Sequence, residues 1–285
     1  MNYSCWLEQW LNTHTRPKVR TSTATMYVHL IDDLKEHLPN LVQLDISVID
    51  HTMLQDALNA LALNYSKSSL QKFRSIFAMS FRHAMHNRMI TAYPCDDLIL
   101  PRDASEKKVD ALTIEEQEDL EKAAQDDPLG HVVIFFLYSG LRCSELANLR
   151  WRDVDLRNKW IRIRDSKTEA GVRRVPLIPK TMEILLSLPH GSQNDKVFKS
   201  PDGTDLNKDK LRTLAYRMRE AAGLPNLTTH VYRHTFATRA VERGMDINAL
   251  SKILGHTDPF FTAKRYVHPC PDFLMDQMQN VFDNK

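Results

Sequence analysis

The sequence predicts a mainly α-helical protein with a small β-hairpin or sheet in the second of two domains. Over most of the chain, apolar residues recur every three or four positions, which is the period of an amphipathic helix. The period falls to two only between 160 and 177, where two short alternating runs flank a turn. A polar, aperiodic linker at 103–110 separates a helical domain, 1–102, from the domain that carries the hairpin, 111–285. A chain of 285 residues also fits two domains of ordinary size.

The composition favours a soluble cytoplasmic protein. Hydrophobic residues make up 42% of the chain, which is enough for a sizeable core. The longest apolar run, Val132–Tyr138, is far shorter than the roughly 18 residues of a membrane span, and the N-terminus has no signal-peptide pattern. The four cysteines are scattered without a C-x-x-C pair, which argues for a reducing compartment and against a disulfide framework or a thiolate zinc site.

The charges are unevenly placed along the chain. A formal net charge of +2 is too small to indicate a nucleic-acid partner by itself. Lysine and arginine are dense in 150–174 and 196–219, while 115–127 is acidic. Such runs are commonly solvated faces. Two basic segments that flank a phosphate-binding site nevertheless favour DNA or RNA as the binding partner.

Three amphipathic helices are predicted in the first domain. One begins at Thr21 or Ser22 and ends at Pro39, and a second begins at Ser47. The third runs from Ser66 or Ser68 to about Ile90, with a buried stripe of Leu70, Phe73, Ile76, Phe77, Phe81, Met85 and Met89. Basic residues on its other faces fit either a solvated helix or contacts to a phosphate backbone; they include Lys67, Lys72, Arg74 and Arg82.

The second domain opens with a helix start signal. Thr113 followed by Glu116 forms a capping box. An apolar helix then runs from 131 to 139, and Arg142 follows at the start of the next helix with Glu145 one turn on. This pair is either an ordinary surface ion pair or an arginine aimed into a cleft and held by a carboxylate.

The hairpin that follows places Lys167 near its tip, between alternating strands that end at Arg164 and begin at Val172. A lysine in a turn is usually exposed to solvent. A hairpin can also deliver its ammonium group to a bound partner.

The last part of the chain gathers cationic side chains and a phenol. His230 and Arg233 are three residues apart on a predicted helix, so they share a face. Asp246 caps a further helix that Gly255 ends, which places His256 just past a helix terminus, ten residues before a tyrosine. With no acid among them, these groups suit a phosphate attacked by the tyrosine.

Five short segments, in this order, resemble the tyrosine recombinase, or phage integrase, family. The resemblance covers 112–266. The segments are Gly140-Leu141-Arg142-Cys143-Ser144-Glu145-Leu146, Ser166-Lys167-Thr168, His230-Val231-Tyr232-Arg233-His234, Leu254-Gly255-His256 and Arg265-Tyr266.

The resemblance implies a site-specific recombinase or integrase of a mobile element or of chromosome resolution. Such an enzyme clamps double-stranded DNA between a helical core-binding domain and a mixed α/β catalytic domain. It cleaves and rejoins strands through a 3′-phosphotyrosine, with no cofactor, metal or ATP. The residues that match the family's catalytic positions are Arg142, Lys167, His230, Arg233, His256 and the nucleophile Tyr266, with Glu145 as the acidic neighbour of the first arginine.

The resemblance also bears on assembly and on further DNA contacts. An amphipathic tail at 271–285 either packs on its own domain or docks onto a neighbouring protomer to build a tetramer in synapsis; a monomer off DNA is compatible with both. Localisation at the nucleoid is expected. DNA contacts beyond the first domain are expected from Arg173, Arg174, Lys210 and Arg212.

Three other interpretations are weaker. His230 and His234 are spaced for zinc, with His256 or His268 as a third ligand, but Val231 stands where the metalloprotease motif has glutamate and an intervening arginine repels a cation. A DNA-binding regulator without the reaction would not need the tyrosine and both arginines. A type IB topoisomerase shares the chemistry but exchanges strands within one duplex.

Overall fold

The computed structural model describes residues 1–105, 110–164, 171–266 and Met278. The chain divides into two compact units, Met1–Lys108 and Val109–Lys285. The predictions for Lys167, His268 and the tail at 271–285, apart from Met278, lie outside the described residues. Within the described part of the chain, no helix combines the length and the hydrophobicity needed to cross a bilayer.

The first unit is helical. Its helices are α1 (Tyr3–Trp10), α2 (Thr21–His37), α3 (Pro39–Gln43), α4 (His51–Leu61) and α5 (Lys67–His86). Helix α1 docks on α5, because Trp6 Nε1 donates to the Ser80 carbonyl at 3.1 Å and Trp10 Nε1 to His83 Nδ1 at 2.9 Å. Both tryptophans are buried in the unit's core. No sequence pattern indicated this short helix, since two turns are too few to show a period.

Three details of the first unit differ from the predictions. Helix α5 ends at His86 instead of about Ile90, so Met89 lies beyond the helix. Helix α4 begins after Asp50, whose carboxylate accepts the Met53 amide hydrogen at 2.8 Å, and Ser47 belongs to a preceding short 3₁₀ turn. Met85, predicted to be buried, is 45% exposed, whereas Ala84 is fully buried. Steps of three and four along α5 from Phe77 reach position 84, so position 85 turns away from the core.

The second unit packs helices around a small antiparallel sheet of order β1-β2-β3. Its elements are α6 (Ile114–Gln125), α7 (Gly130–Ser139), α8 (Cys143–Asn148), β1 (Val154–Asp155), β2 (Trp160–Ile163), β3 (Arg173–Pro176), α9 (Pro179–Ser187), α10 (Lys208–Ala221), α11 (Thr229–Glu242), α12 (Ile247–Leu254) and α13 (Pro259–Tyr266). The predicted capping box at Thr113 and Glu116 is present. The predicted hairpin pairs Ile161 with Val175. Strand β1 was not predicted.

Helix α7 lies at the centre of the second unit and packs against α6, α9 and α11. Because it is covered on several sides, it is apolar almost all round, and Phe135 and Phe136 are buried. It ends at Gly140, whose φ of 63° is left-handed. A Cβ at this position would lie 2.5 Å from the Phe236 ring, so both the backbone angle and the close approach of α11 require glycine.

Candidate active site

The C-terminal end of α12 gathers three arginines from distant parts of the chain. Its last carbonyls have no partner within the helix and carry a partial negative charge, which favours cationic donors. Three successive carbonyls each accept from a different guanidinium: Ile253 O from Arg173 Nε at 2.5 Å, Leu254 O from Arg233 Nη2 at 2.6 Å, and Gly255 O from Arg142 Nη2 at 2.9 Å. The helix end therefore fixes where strand β3, helix α11 and the start of α8 meet.

Local sequence signals place this helix end. Asp246 accepts from the Ala249 amide at 2.8 Å and caps the start of α12, and Gly255 ends the helix with φ of 66°. Both positions are as predicted. The αL residue turns the chain so that the final carbonyls face α11 and β3 instead of solvent.

Glu145 joins two of the three arginines. Its buried carboxylate accepts from Arg142 Nη1 at 2.8 Å and from Arg173 Nη1 and Nη2 at 2.8 and 2.9 Å. It also accepts the Arg142 amide hydrogen at 2.8 Å. Burial opposes ionisation, but the hydrogen bonds and charge of Arg173, together with Arg142, outweigh it and lower the pKa of Glu145 to about 2. Glu145 is therefore ionised at neutral pH.

Arg233 is buried, with only 7% of its surface exposed. Its Nη1 donates to the Gly140 carbonyl at 2.8 Å, and its Nη2 donates to Leu254 O and to His256 Nε2, the latter at 3.1 Å. Burial, followed by repulsion from Arg142, lowers its pKa to about 9. The side chain remains a cation at neutral pH.

The tautomer of His256 follows from its two partners. A guanidinium can only donate, so Nε2 is the acceptor from Arg233. Nδ1 then carries the hydrogen and donates to Thr262 Oγ1 at 2.7 Å. Burial, followed by Arg233, lowers the pKa of His256 to about 4. The resting imidazole is neutral, and its Nε2 points at the arginine cluster.

Tyr266 is the last residue of α13 and is 7% exposed. It packs in an apolar cluster with Ala237, Leu250 and Leu254. Burial raises its pKa above the ordinary value of 10, while Arg233 and Arg265 act in the opposite direction. The phenol is therefore neutral in this state.

A second arginine–histidine pair lies beside Tyr266. Arg265 Nε and Nη2 both point at His234 Nε2, at 2.9 and 2.6 Å, and the His234 ring centroid is 5.2 Å from that of Tyr266. Burial, followed by Arg265, lowers the pKa of His234 to about 4. The only role proposed for His234 from the sequence was that of a zinc ligand. The adjacency of an arginine to the tyrosine was the one signal for this link between α11 and α13.

A cleft of about 600 Å³ extends from Arg142 along α10. His230 lines it, and burial of the imidazole, followed by Arg233, lowers its pKa. Arg212, a predicted DNA contact, also lines the cleft and pairs with Asp209 at 3.0 Å. Two further basic residues of this lining, Lys208 and Arg219, were not singled out from the sequence. Positions 208, 212 and 219 share one face of α10, and that spacing was the available signal.

The expected DNA contacts of α5 lie in different environments. Lys67, Lys72 and Arg82 are exposed. Arg82 lies over the Tyr93 ring, 5.8 Å from its centroid. Arg74 is half-buried and donates to the Leu98 carbonyl at 3.1 Å.

The remaining expected contacts belong to the second unit. Lys210 donates to Ser200 Oγ at 3.0 Å and to the Thr204 hydroxyl, so it braces the loop before α10. Arg174 is exposed on the outer face of the sheet, whereas the neighbouring Arg173 points inwards with 6% of its side chain exposed. A DNA contact was expected of Arg173, but its side chain faces the protein interior, because alternate residues of a strand face opposite sides.

The geometry thus pairs Arg142 with Glu145 and Arg233 with His256 by direct hydrogen bonds, and both arginines donate to adjacent carbonyls at the end of α12. His230 lies in the adjoining cleft. In a comparison with protein families, residues 110–271 match the Phage integrase family. The chain belongs to this family. It is accordingly a tyrosine-type site-specific DNA recombinase. The predictions of the family and of a mainly helical fold with a small antiparallel sheet are confirmed.

Curated relatives match this recombinase over most of its length. The transposase from transposon Tn916 of Enterococcus faecalis is 26% identical over 307 residues, covering 95% of this chain and 75% of the relative. The tyrosine recombinase XerD of Proteus mirabilis is 27% identical over 288 residues, covering 95% and 88%.

Solved structures share the fold at lower identity. The Tn1549 transposon integrase in complex with a circular intermediate DNA superposes with a TM-score of 0.82 at 19% identity, over 98% of this chain and 99% of that one. A lambda integrase dimer bound to a COC' core site gives 0.76 at 20% identity, over 94% and 96%.

Proposed function

We propose that this recombinase cleaves and rejoins DNA through a 3′-phosphotyrosine on Tyr266, without metal or ATP. The observation that supports this most directly is the convergence of three guanidinium groups on the end of α12 with a single carboxylate among them. That cluster carries two net positive charges. It suits a phosphodiester, whose attack builds further negative charge on the non-bridging oxygens.

The proposed phosphate-binding groups are Arg142 and Arg233. An arginine has five N–H donors. Arg142 donates two to Glu145 and Gly255, and 34% of its side chain is exposed, so it has donors and access for a phosphate oxygen. Arg233 uses three on Gly140, Leu254 and His256. These bonds fix both guanidinium groups before the substrate arrives, which reduces the reorganisation needed in the reaction.

Attack by Tyr266 requires loss of its phenolic proton. His256 and His230 are the two candidates to take it or to hydrogen-bond the phosphate instead. His256 is neutral in the free protein and has an acceptor nitrogen directed at the arginines. A bound phosphate anion would offset the repulsion from Arg233 and raise the pKa of His256, so that the imidazole becomes a better base when substrate is present.

In the proposed step the Tyr266 oxygen bonds to phosphorus while the bond from phosphorus to the 5′ oxygen breaks. The phenolic proton passes to an imidazole, and the leaving 5′ oxygen receives a proton. Lys167 is the proposed donor, since it precedes β3 in the sequence and β3 reaches this site through Arg173. The products are a 3′-phosphotyrosine and a free 5′ hydroxyl. Attack by an incoming hydroxyl reverses the step, so the ester energy is conserved.

The proposed partner is double-stranded DNA. The basic cleft with Lys208, Arg212 and Arg219 leads to Arg142 and fits a phosphate backbone. Structural relatives have been solved with DNA, including a lambda integrase tetramer bound to a Holliday junction. By analogy, we propose a tetramer in synapsis, a core-binding role for residues 1–102, the catalytic domain at 111–285, and a cytoplasmic, nucleoid-associated location.

The histidines do not favour the zinc alternative. The Nε2 atoms of His234 and His256 both accept from arginines, so each would have to give up a charge-assisted hydrogen bond to bind a cation. A neutral imidazole has only one lone pair available to a metal, and in both rings that lone pair faces an arginine. We expect chelators to leave strand cleavage unchanged.

A library of nicked duplexes with randomised sequence tests the proposal, because loss of the short fragment beyond the nick traps the covalent intermediate. Wild-type protein should form an adduct that sequencing places on Tyr266 through a 3′ phosphate. Tyr266→Phe should bind the enriched sequences and form no adduct. An adduct in the Tyr266→Phe variant, or a DNA product with a 5′-linked protein, would overturn the mechanism.

A further inference from the structure

The third arginine of the cluster, Arg173, matches none of the family's catalytic positions identified from the sequence. It is the first residue of β3, in phase with Val175, whose side chain is buried against the core. That alternation turns Arg173 inwards, towards the end of α12.

The donors of Arg173 are almost fully used inside the protein. Nη1 and Nη2 hold the two oxygens of Glu145 at 2.8 and 2.9 Å, Nε donates to Ile253 O, and Nη1 also donates to Gly171 O at 3.0 Å. Four of five donors are therefore occupied, and 6% of the side chain is exposed. Arg173 is placed to organise other groups and has little capacity left for a phosphate.

The shared carboxylate gives this arrangement an electrostatic consequence. If Glu145 faced Arg142 alone, the two charges would cancel and the carboxylate would repel an approaching phosphate. Arg173 makes a two-pronged ion pair with Glu145, a geometry that is stronger than a single contact. Glu145 can then orient Arg142 through one Nη1 bond while the local charge stays positive.

We propose that Arg173 is a positioning residue that neutralises Glu145 and so leaves the charge of Arg142 available to the scissile phosphate. It also fastens β3 to the α12 carbonyl that precedes those holding Arg233 and Arg142. This inference rests on the proposed function, since it concerns the same cleavage step.

The test compares single-turnover cleavage of a nicked suicide duplex by five proteins, with thermal unfolding and DNA affinity measured for each. Arg173→Met should lower the cleavage rate by about 10- to 100-fold, somewhat less than the loss of a direct oxyanion donor. DNA affinity should change little. Arg173→Lys should recover part of the rate, because it restores the charge without the two-pronged geometry.

Glu145→Gln combined with Arg173→Met is the decisive variant, since it removes the carboxylate that Arg173 compensates. Its cleavage rate should exceed that of Arg173→Met at least several-fold. The matched control is Arg217→Met, which deletes an arginine from a two-pronged pair with the buried carboxylate of Asp127 outside the site. It should cleave at the wild-type rate.

The possible results distinguish a failure of the positioning role from a failure of the proposed function. Wild-type cleavage by Arg173→Met, or a double variant no faster than Arg173→Met, overturns the positioning role while a wild-type adduct still supports the mechanism. Loss of cleavage in proportion to lost thermal stability, without rescue by Glu145→Gln, also overturns it. If wild-type protein forms no adduct with DNA, the proposed function fails and this inference with it.

Discussion

At the scale of single residues, Glu145 should make stability depend on acid. Its pKa is about 2 in the folded protein and 4.5 ordinarily, because two arginines hold its anion. A carboxyl with a lowered folded pKa stabilises the protein fully above its unfolded pKa and loses that contribution as the pH falls through the folded value. We expect about 3 kcal/mol to disappear between about pH 5 and pH 2.

Urea unfolding at intervals from pH 6 to pH 2.5 measures this effect. Glu145→Gln is the reference, since it keeps the shape of the side chain and cannot titrate. Subtracting its stability curve from that of the wild-type protein should leave a slope confined to the acid range. Parallel curves would show that the carboxylate is not held as the structure has it.

Spacing and motif order brought Arg142, Arg233 and His256 into one hypothesis, and their hydrogen bonds show them in one cluster. Their assignment to catalytic roles remains a prediction. The inward position of Arg173 could have been inferred from its phase with Val175, but its partner could not, because Glu145 is 28 residues away and on another element. Contacts of that kind depend on tertiary packing, which short-range periodicity does not specify.

At the scale of elements, the approach of α11 to the end of α7 should be sensitive to one added methyl group. Gly140→Ala introduces left-handed strain, which costs about 1–2 kcal/mol, and a clash with Phe236 that costs about 1–3 kcal/mol more. The Gly140 carbonyl also holds Arg233, so the cleavage rate should fall as well.

Gly223→Ala is the matched control for this prediction. Gly223 has φ of 65°, close to that of Gly140, but no atom lies within 4 Å of its added Cβ. Denaturant unfolding should therefore show the strain alone, and cleavage should persist. Equal losses of stability in the two variants would contradict the close packing of Phe236 on Gly140.

The outer face of the sheet pairs two like charges. Arg162 lies directly opposite Arg174, and both are exposed beside Trp160. Like charges facing across a strand pair are destabilising by about 0.2–1 kcal/mol, so this face is suited to an anion. Replacing either arginine by threonine should raise thermal stability slightly while weakening DNA binding.

The salt dependence of DNA affinity tests that expectation. Each lost phosphate contact should reduce the slope of log affinity against log salt by about 0.9. Lysine at the same position should preserve the slope because it keeps the charge. An unchanged slope with threonine would show that this face does not bind the phosphate backbone.

Elements that carry a sequence signal several residues long could be predicted, whereas very short elements could not. The capping box at Thr113, the end of α12 at Gly255 and the pairing of β2 with β3 could be predicted because each has a local signal several residues long. Strand β1 has only two residues, and its pairing of Val154 with Ile161 arises from the packing of the hairpin. No sequence period exists over so short a span.

At the scale of the whole molecule, the recombinase family and the mainly helical class were predictable because ordered motifs and helical periodicity extend along most of the chain. The separation into two compact units accords with the polar, aperiodic segment at 103–110. The roles assigned to the two domains remain predictions. Assembly depends on contacts with DNA and between separate copies of the chain, which the periodicity within one chain does not specify.

An apolar cleft in the second unit bears on assembly. It encloses about 380 Å³ and is lined by residues that include Leu137, Ile178, Phe236 and Met245. Ile178 and Met245 are exposed there at 40% and 37%. Burying such surface on association is favourable. The amphipathic sequence of the tail at 271–285 supplies matching apolar side chains, so we expect a neighbouring protomer's tail to occupy this cleft in the proposed tetramer.

Deleting 271–285 should therefore leave binding to a single DNA site unchanged and abolish the tetramer, as mass photometry of the protein on DNA would show. Met245→Asp should have the same effect, because it places a charge in the cleft without altering the tail. Mixing the two variants is a further test, because the deletion variant keeps the cleft and Met245→Asp keeps the tail. Mixed dimers should form through one such contact but should not close into a ring. If the tail packs on its own domain instead, its deletion will lower the thermal stability of the isolated protein while tetramers still assemble.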